Sequence, residues 1–171
     1  MGVFTMDRQQ DFMEKSTKSA KVFADIMPIL ENYFGGKILS TENQTSAVER
    51  LLDCDCGIDG IVKTDGAIFG IAHRVKYNNY TDFTIRLYND IGKTSEIDHM
   101  RQSGFKPRYH VQTVCIDGTP TTIAIARTTD LVRAIDIELY TTKLCYNGAK
   151  FAVLDWNDLI NNGINVDIIK L

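Results

Sequence analysis

The residues of this chain that are best suited to catalysis, by type and by spacing, are an acid and a lysine on two neighbouring predicted strands. Asp59 lies in the apolar run Gly57–Val62, and Arg74 and Lys76 end the run that begins at Gly70. Because alternate residues of a strand share a face, Arg74 and Lys76 point to the same side. An acid on one strand and a lysine on the next is typical of sites that hydrolyse phosphodiester bonds with a bound metal ion.

A tight hairpin would hold these residues together. The β-rich stretches Ile58–Lys63 and Ala67–Tyr77 flank Thr64-Asp65-Gly66, whose Asp-Gly step is a strong hairpin signal. The sequence therefore predicts that the acid and the two cations lie on adjacent antiparallel strands.

A short helix is predicted just before the hairpin, over Ala47–Leu52, with Thr45 or Ser46 as its N-cap. Glu49 is the third residue after Ser46, where a capping box needs its acid. Glu49 therefore has two interpretations, as a cap and as a second acid for the site.

The remaining predicted elements complete a mixed pattern. They are an N-terminal helical segment over residues 7–34, strands at 83–88, 109–116, 121–126, 150–154 and 164–169, helical turns within 94–102, and helices at 130–139 and 156–162. Pro28 is expected to kink or divide the first helix. This order predicts an α/β (α+β-like) fold with a central mixed β-sheet and flanking helices. We expect a single domain of residues 1–171, with its core over residues 45–171.

Composition is that of an ordinary globular domain: 171 residues, 44% hydrophobic and 24% charged. The chain has no run of about 18 apolar residues, so we expect no membrane span. Its first residues lack the basic and apolar regions of a signal peptide, which favours the cytoplasm.

Four cysteines in such a chain predict reduced thiols rather than a disulfide framework. Cys54-Asp55-Cys56 would need two further ligands to hold zinc, which disfavours a zinc site.

The net charge of −3 argues against a protein that coats nucleic acid, because such proteins are usually basic. It does not exclude a local cationic patch. That patch is predicted to comprise His73, Arg74, Lys76, Arg86 and Lys93.

With these elements in order, the chain resembles the PD-(D/E)XK nuclease superfamily. Its restriction-endonuclease-like core has a helix with an acid, a strand with an aspartate, a hairpin partner with an acid-x-lysine pair, and then a helix and a strand. Glu49, Asp59 and Lys76 match three of these positions. The runs Gly57-Ile58-Asp59 and Phe83-Thr84-Ile85-Arg86 are also similar to small phage- and mobile-element-type relatives of that superfamily.

The resemblance implies a Mg²⁺-dependent (or Mn²⁺-dependent) DNA endonuclease. Asp59 and Glu49 would hold the metal ion and form the catalytic set with Lys76. A second group of residues would contact the DNA: Arg74, Thr84 and Arg86. Enzymes of this architecture often dimerise to cut both strands, so a homodimer is expected, and no membrane partner is.

Arg74 departs from the superfamily pattern, because it stands where an acid is expected and an arginine repels a divalent cation. Two alternatives follow. The missing acid comes from elsewhere, with Asp53, Asp55 or Glu49 as candidates, or the protein is a phage or mobile-element accessory that binds DNA without cutting it. A third interpretation is a protein-binding module, such as an inhibitor of a host enzyme, which the acidic net charge suits.

Simpler structural interpretations stand beside the functional ones. Asp59 next to glycines is typical of a strand end, and the cations are compatible with a solvated sheet face. His73 alternates with Arg74, so we expect it to face the other side of the strand and pack in the core. The tyrosines near the basic patch could stack on bases; they are Tyr77, Tyr80 and Tyr88.

Overall fold

The structure is a computed structural model that describes residues 3–42, 46–88, 95–102, 104–145 and 148–171. The side chains of residues 3–13, 54 and 55 lie outside that description. The described elements in chain order are α1 (Val3–Phe34), β1 (Lys37–Ser40), α2 (Ala47–Arg50) followed by a π-helical turn (Leu51–Asp55), β2 (Gly60–Lys63), β3 (Ile68–Lys76), β4 (Asp82–Tyr88), α3 (Glu96–Arg101), β5 (Pro107–Ile116), β6 (Thr119–Arg127), α4 (Thr128–Asp136), β7 (Thr141–Leu144), β8 (Lys150–Asp155), α5 (Trp156–Asn161) and β9 (Val166–Lys170).

Two sheets organise these elements. The larger one has six strands in the order β1-β2-β3-β5-β6-β9, and the smaller one has three in the order β4-β8-β7. Strands β3 and β5 are parallel, and the other neighbours in both sheets are antiparallel. The expected mixed sheet with flanking helices is therefore confirmed, and so is the hairpin of β2 and β3, in which Gly60 pairs with Ile71.

One face of the large sheet is covered by the second half of α1. Phe23, Ile26 and Leu30 recur at helical spacing and are almost fully buried against the sheet. The helix runs through Pro28, so of the two expected effects of that residue the division does not occur. Residues on both sides of Pro28 are anchored in this core, which offsets the missing backbone hydrogen bond. Gly35 ends the helix in a left-handed conformation, with φ of 67°.

The other face of the large sheet carries a second core, shared with the small sheet and with α3, α4 and α5. Trp156 begins α5 and is 1% exposed, so it anchors the junction between β8 and that helix in this core. The small sheet contributes Ile85 and Leu154 to this core. Its outward side chains remain available for contacts with a ligand.

Strands β1 and β7 were not among the sequence predictions. All four residues of β7 are exposed, so its sequence carries no alternation of apolar and polar positions. Strand β1 is equally short and lies at the edge of the large sheet. Among the described residues, no helix is both long and apolar enough to cross a lipid bilayer.

Candidate functional site

Asp59 lies immediately before β2, where the pairing of β2 with β3 ends. Its backbone N–H donates to the carbonyl of Ile71 at 2.9 Å. Its carboxylate Oδ2 accepts the backbone N–H of His73 at 2.6 Å. The side chain thus satisfies a donor of β3 that a longer β2 would have paired, which is the behaviour expected of a strand-end aspartate.

Two other acids are brought to Asp59 by the backbone around it. Thr41 N–H donates to the Asp59 carbonyl at 3.0 Å, which fixes the residue before Glu42. The π-helical turn contains Asp53, whose carbonyl accepts the Gly57 N–H at 3.2 Å. Single π-helical turns recur at functional sites because the extra residue displaces side chains from the regular helical path. We call Glu42, Asp53 and Asp59 the carboxylate cluster.

The negative charge of the carboxylate cluster is poorly compensated. Burial raises the pKa of Asp59 to about 8, and the charges of Glu42 and Asp53 add to this rise, against the His73 N–H and Arg74. Burial also raises the pKa of Glu42 to about 7, with Asp53 adding to it. Among the described residues, Glu42 Oε2 is buried with no hydrogen-bond partner. Such a site gains stability from a proton or a cation.

Arg74 links three elements beside the cluster. Its Nη1 donates to the carbonyl of Thr84 at 2.8 Å, and its Nη2 pairs with Glu96 Oε2 at 2.7 Å. The same Glu96 oxygen accepts the backbone N–H of Arg86 at 2.9 Å. Arg74 therefore holds β3, β4 and α3 together, and this ion pair partly neutralises it in the structure.

Lys76 lies one step further along the same face of β3. Its Nζ donates to Asp82 Oδ1 and, at 2.8 Å, to Thr84 Oγ1. Burial lowers the pKa of Lys76, the hydrogen bond and charge of Asp82 oppose this, and the charges of Lys143 and Arg74 lower the pKa further. Lys76 therefore lies close enough to Arg74 of β3 and to Lys143 of β7 for their charges to act on it. Arg74 and Lys76 both belong to the basic patch that the sequence predicts, whereas Lys143 does not.

A cleft of about 390 Å³ opens beside Lys76. We call it the lysine–tyrosine cleft, and its lining residues are Lys76, Tyr77, Asn78, Tyr80, Asp82, Thr84, Lys143 and Val153. The Lys76 ammonium lies 5.9 Å from the centre of the Tyr80 ring. Tyr77 is 45% and Tyr80 is 58% exposed, so both rings are accessible to a ligand.

The structure does not bring the predicted site residues together in one place. Asp59 belongs to the carboxylate cluster, with the charge of Arg74 acting on it. Lys76 and Thr84 line the cleft, while the guanidinium of Arg86 lies 5.3 Å from the centre of the Phe151 ring.

Glu49 closes the capping box of α2 with Ser46. Its Oε2 accepts the Ser46 N–H at 2.9 Å, and its own N–H donates to Ser46 Oγ at 3.1 Å. The acids whose charges act on Asp59 are instead Glu42 and Asp53. Thr45, Lys93 and the side chains of Cys54 and Asp55 lie outside the described residues.

His73 faces the first core, as predicted. Its ring stacks on Phe23 with centroids 4.7 Å apart, and its Nε2 lies 3.0 Å from Thr113 Oγ1. Burial lowers the pKa of His73 to about 3, so the ring is neutral in the core. His110 is also buried with a pKa lowered to about 4 by burial, and within the described residues its Nε2 has no hydrogen-bond partner.

Sequence reasoning missed Glu42, Glu96 and Lys143 as members of this region. None of the three stands at a spacing from Asp59 or Lys76 that marks it as part of the site. Asp53 was a candidate for the missing acid, and the structure brings it to Asp59.

Within the part of the chain that the structure describes, no three acidic, histidine or cysteine side chains are already grouped to hold a metal ion. Comparison with protein-family models, curated proteins and solved structures gives no match.

Proposed function

We propose that this protein binds DNA and hydrolyses its phosphodiester bonds with a divalent cation held at the carboxylate cluster. The observation that carries this proposal is the poorly compensated charge of Glu42, Asp53 and Asp59, together with the buried, unpartnered oxygen of Glu42. Arg74 and Lys76 supply positive charge on the neighbouring strand, where a phosphate would need it.

The order of elements supports a restriction-endonuclease-like core. A helix precedes an antiparallel hairpin, and β4 followed by α3 connects that hairpin to β5, which is parallel to β3. The resemblance implies the same sequence of helix, aspartate strand, lysine strand, helix and strand. Asp59 immediately precedes β2 and Lys76 ends β3, so both belong to the hairpin region in which the resemblance expects an aspartate and a lysine.

The donor chemistry of the cluster fits Mg²⁺ or Mn²⁺, since both prefer carboxylate oxygens. Because the acids are not yet grouped around one point, binding would draw Glu42 and Asp53 toward Asp59. A bound cation would polarise the phosphate and lower the pKa of a water molecule. Arg74 and Lys76 would orient the phosphate. To reach it, Arg74 would break its ion pair with Glu96 and Lys76 would break its ion pair with Asp82.

A second candidate is DNA binding without hydrolysis. Arg74 occupies the position where the resemblance implies an acid, and its charge lowers the pKa of Asp59. An arginine beside the carboxylate competes with a metal ion for the same negative charge. In this second candidate the cationic surface still binds DNA, and the carboxylate cluster has no catalytic role.

Calorimetric titration with Mn²⁺ and Mg²⁺ separates the two candidates. We expect the wild type to bind a cation, and Asp59→Asn and Glu42→Gln to lose binding. Asp65→Asn is the matched control, because Asp65 is an exposed acid in the hairpin turn. A plasmid-cleavage assay on the same proteins then tests hydrolysis.

The outcomes are distinct. Cation binding that depends on the cluster, with cleavage, supports the nuclease. DNA binding in EDTA without any cation binding supports the second candidate. Absence of both would contradict both proposals and direct the search to a protein partner.

A further inference from the structure

The lysine–tyrosine cleft forms where the chain passes from the large sheet to the small one. After Lys76 the chain leaves β3, and Tyr77, Asn78 and Tyr80 make one wall before β4 begins. The floor is the outer face of the small sheet, where Thr84 pairs with Val153 across β4 and β8. Lys143 of β7 also lines the cleft.

The charges in this cleft favour an anion. Lys76 and Lys143 both line it, and the single acid among the lining residues is Asp82, which already pairs with Lys76. Within the described part of the chain, no acidic side chain lies within ion-pair distance of Lys143. One ammonium group in the cleft therefore remains to be neutralised, and a phosphate would do so.

The aromatic residues in the cleft favour a base that is not stacked in a duplex. The volume of about 390 Å³ lies within the range of small-ligand pockets. Bases inside a duplex expose only their edges, whereas an unpaired base offers a face that can stack on tyrosine. Tyr80 is well placed for this, because it is exposed and lies on the wall beside Lys76.

We propose that the lysine–tyrosine cleft holds one unpaired nucleotide, with its phosphate between Lys76 and Lys143 and its base on Tyr80. The protein then binds single-stranded DNA, or a single-stranded part of a branched DNA, more tightly than a continuous duplex. This inference rests on the proposed function in taking DNA as the ligand, and it adds the class of DNA structure.

Fluorescence anisotropy in EDTA tests the proposal without depending on metal binding or cleavage. The probes are a labelled single-stranded oligothymidine and a labelled hairpin duplex with the same number of phosphates. We expect Tyr80→Leu to weaken binding of the single strand about tenfold or more, because stacking on one aromatic ring contributes that much. Lys143→Gln should weaken it and reduce its salt dependence by about one counterion.

Matched controls lie at the opposite end of the large sheet. Phe105→Leu removes an aromatic ring that is 56% exposed near the start of β5. Lys63→Gln removes an exposed lysine at the hairpin turn. Neither should change the binding of the single strand by more than about twofold.

Preference for the single strand that is lost in Tyr80→Leu and kept in Phe105→Leu supports the cleft. Equal binding of both probes, insensitive to Tyr80, overturns this inference and leaves the proposed function standing. Absence of binding to either DNA overturns both.

Discussion

The carboxylate of Asp59 accepts the backbone N–H of His73 at 2.6 Å. The His73 ring stacks on Phe23 of α1, so this contact ties the carboxylate cluster to a residue that is anchored in the first core. Asp59 thus terminates the pairing of β2 and β3 and also carries the charge on which the proposed chemistry depends. A substitution at Asp59 should therefore change both the free energy of unfolding and the affinity for a cation.

We expect Asp59→Asn to gain stability relative to the wild type as the pH rises. A raised pKa in the folded state means that the protonated acid favours folding, so this contribution is complete below about pH 4 and is lost as the pH rises to about 8. Asparagine keeps an acceptor for the His73 N–H and carries no charge. Urea unfolding at pH 5 and pH 8.5 should show the difference in free energy of unfolding between the two proteins changing by up to about 4 kcal/mol in favour of the variant, about 1.4 kcal/mol for each pH unit below the raised pKa. A difference that does not vary with pH would contradict the raised pKa.

Divalent cations should raise the melting temperature of the wild type, and more at pH 8 than at pH 6. The carboxylates must lose their protons to bind, and the pKa values of Glu42 and Asp59 lie near 7 and 8. At a free cation concentration one hundred times the dissociation constant, the free energy of unfolding rises by about 2.7 kcal/mol. Differential scanning fluorimetry with and without Mn²⁺ measures it, and Glu49→Gln is the comparison.

Glu49→Gln should keep this cation effect, because the Glu49 carboxylate closes the capping box of α2. The variant should lose only part of the helix-capping contribution, about 0.5 kcal/mol or less. Loss of the cation effect in Glu49→Gln, with retention in Glu42→Gln, would favour the sequence prediction that Glu49 is the second ligand.

Glu96→Gln should tighten DNA binding while it weakens the fold slightly. Glu96 Oε2 holds both the Arg74 guanidinium and the Arg86 N–H, and glutamine keeps one acceptor without the charge. Because the Arg74 side chain is 44% exposed, the lost ion pair is expected to cost no more than about 1 kcal/mol. The released arginine then becomes available to a phosphate. Anisotropy at several salt concentrations should show a steeper salt dependence by about one counterion, and an unchanged slope would place Arg74 away from the DNA.

Gly70→Ala should destabilise the protein and weaken cation binding together. A Cβ at Gly70 would lie 2.7 Å from Cδ1 of Ile58, which is fully buried and precedes Asp59. Overpacking of this kind costs about 1–3 kcal/mol and displaces the neighbouring backbone. Gly66→Ala is the control, because a Cβ there has nothing within 4 Å. Equal unfolding free energies for the two variants would show that Ile58 can move aside.

The local sequence was sufficient to predict the hairpin, the short capped helix and the mixed sheet. An Asp-Gly turn between two β-rich stretches determines antiparallel neighbours, and the spacing of Ser46 and Glu49 determines a capping box, since both depend on residues a few positions apart. The opposite orientations of His73 and Arg74 also follow from alternation alone.

Tertiary structure decided which charged groups meet. Strand β7 has no apolar alternation, so only its pairing with β8 brings Lys143 toward Lys76. Glu42 reaches Asp59 because the end of β1 and the start of β2 share backbone hydrogen bonds. Electrostatic interaction depends on distance in space and on burial, and neither quantity is encoded in the spacing of residues along the chain. The sequence therefore determined the elements that carry Asp59 and Lys76, and the packing of distant segments decided their partners and their pKa values.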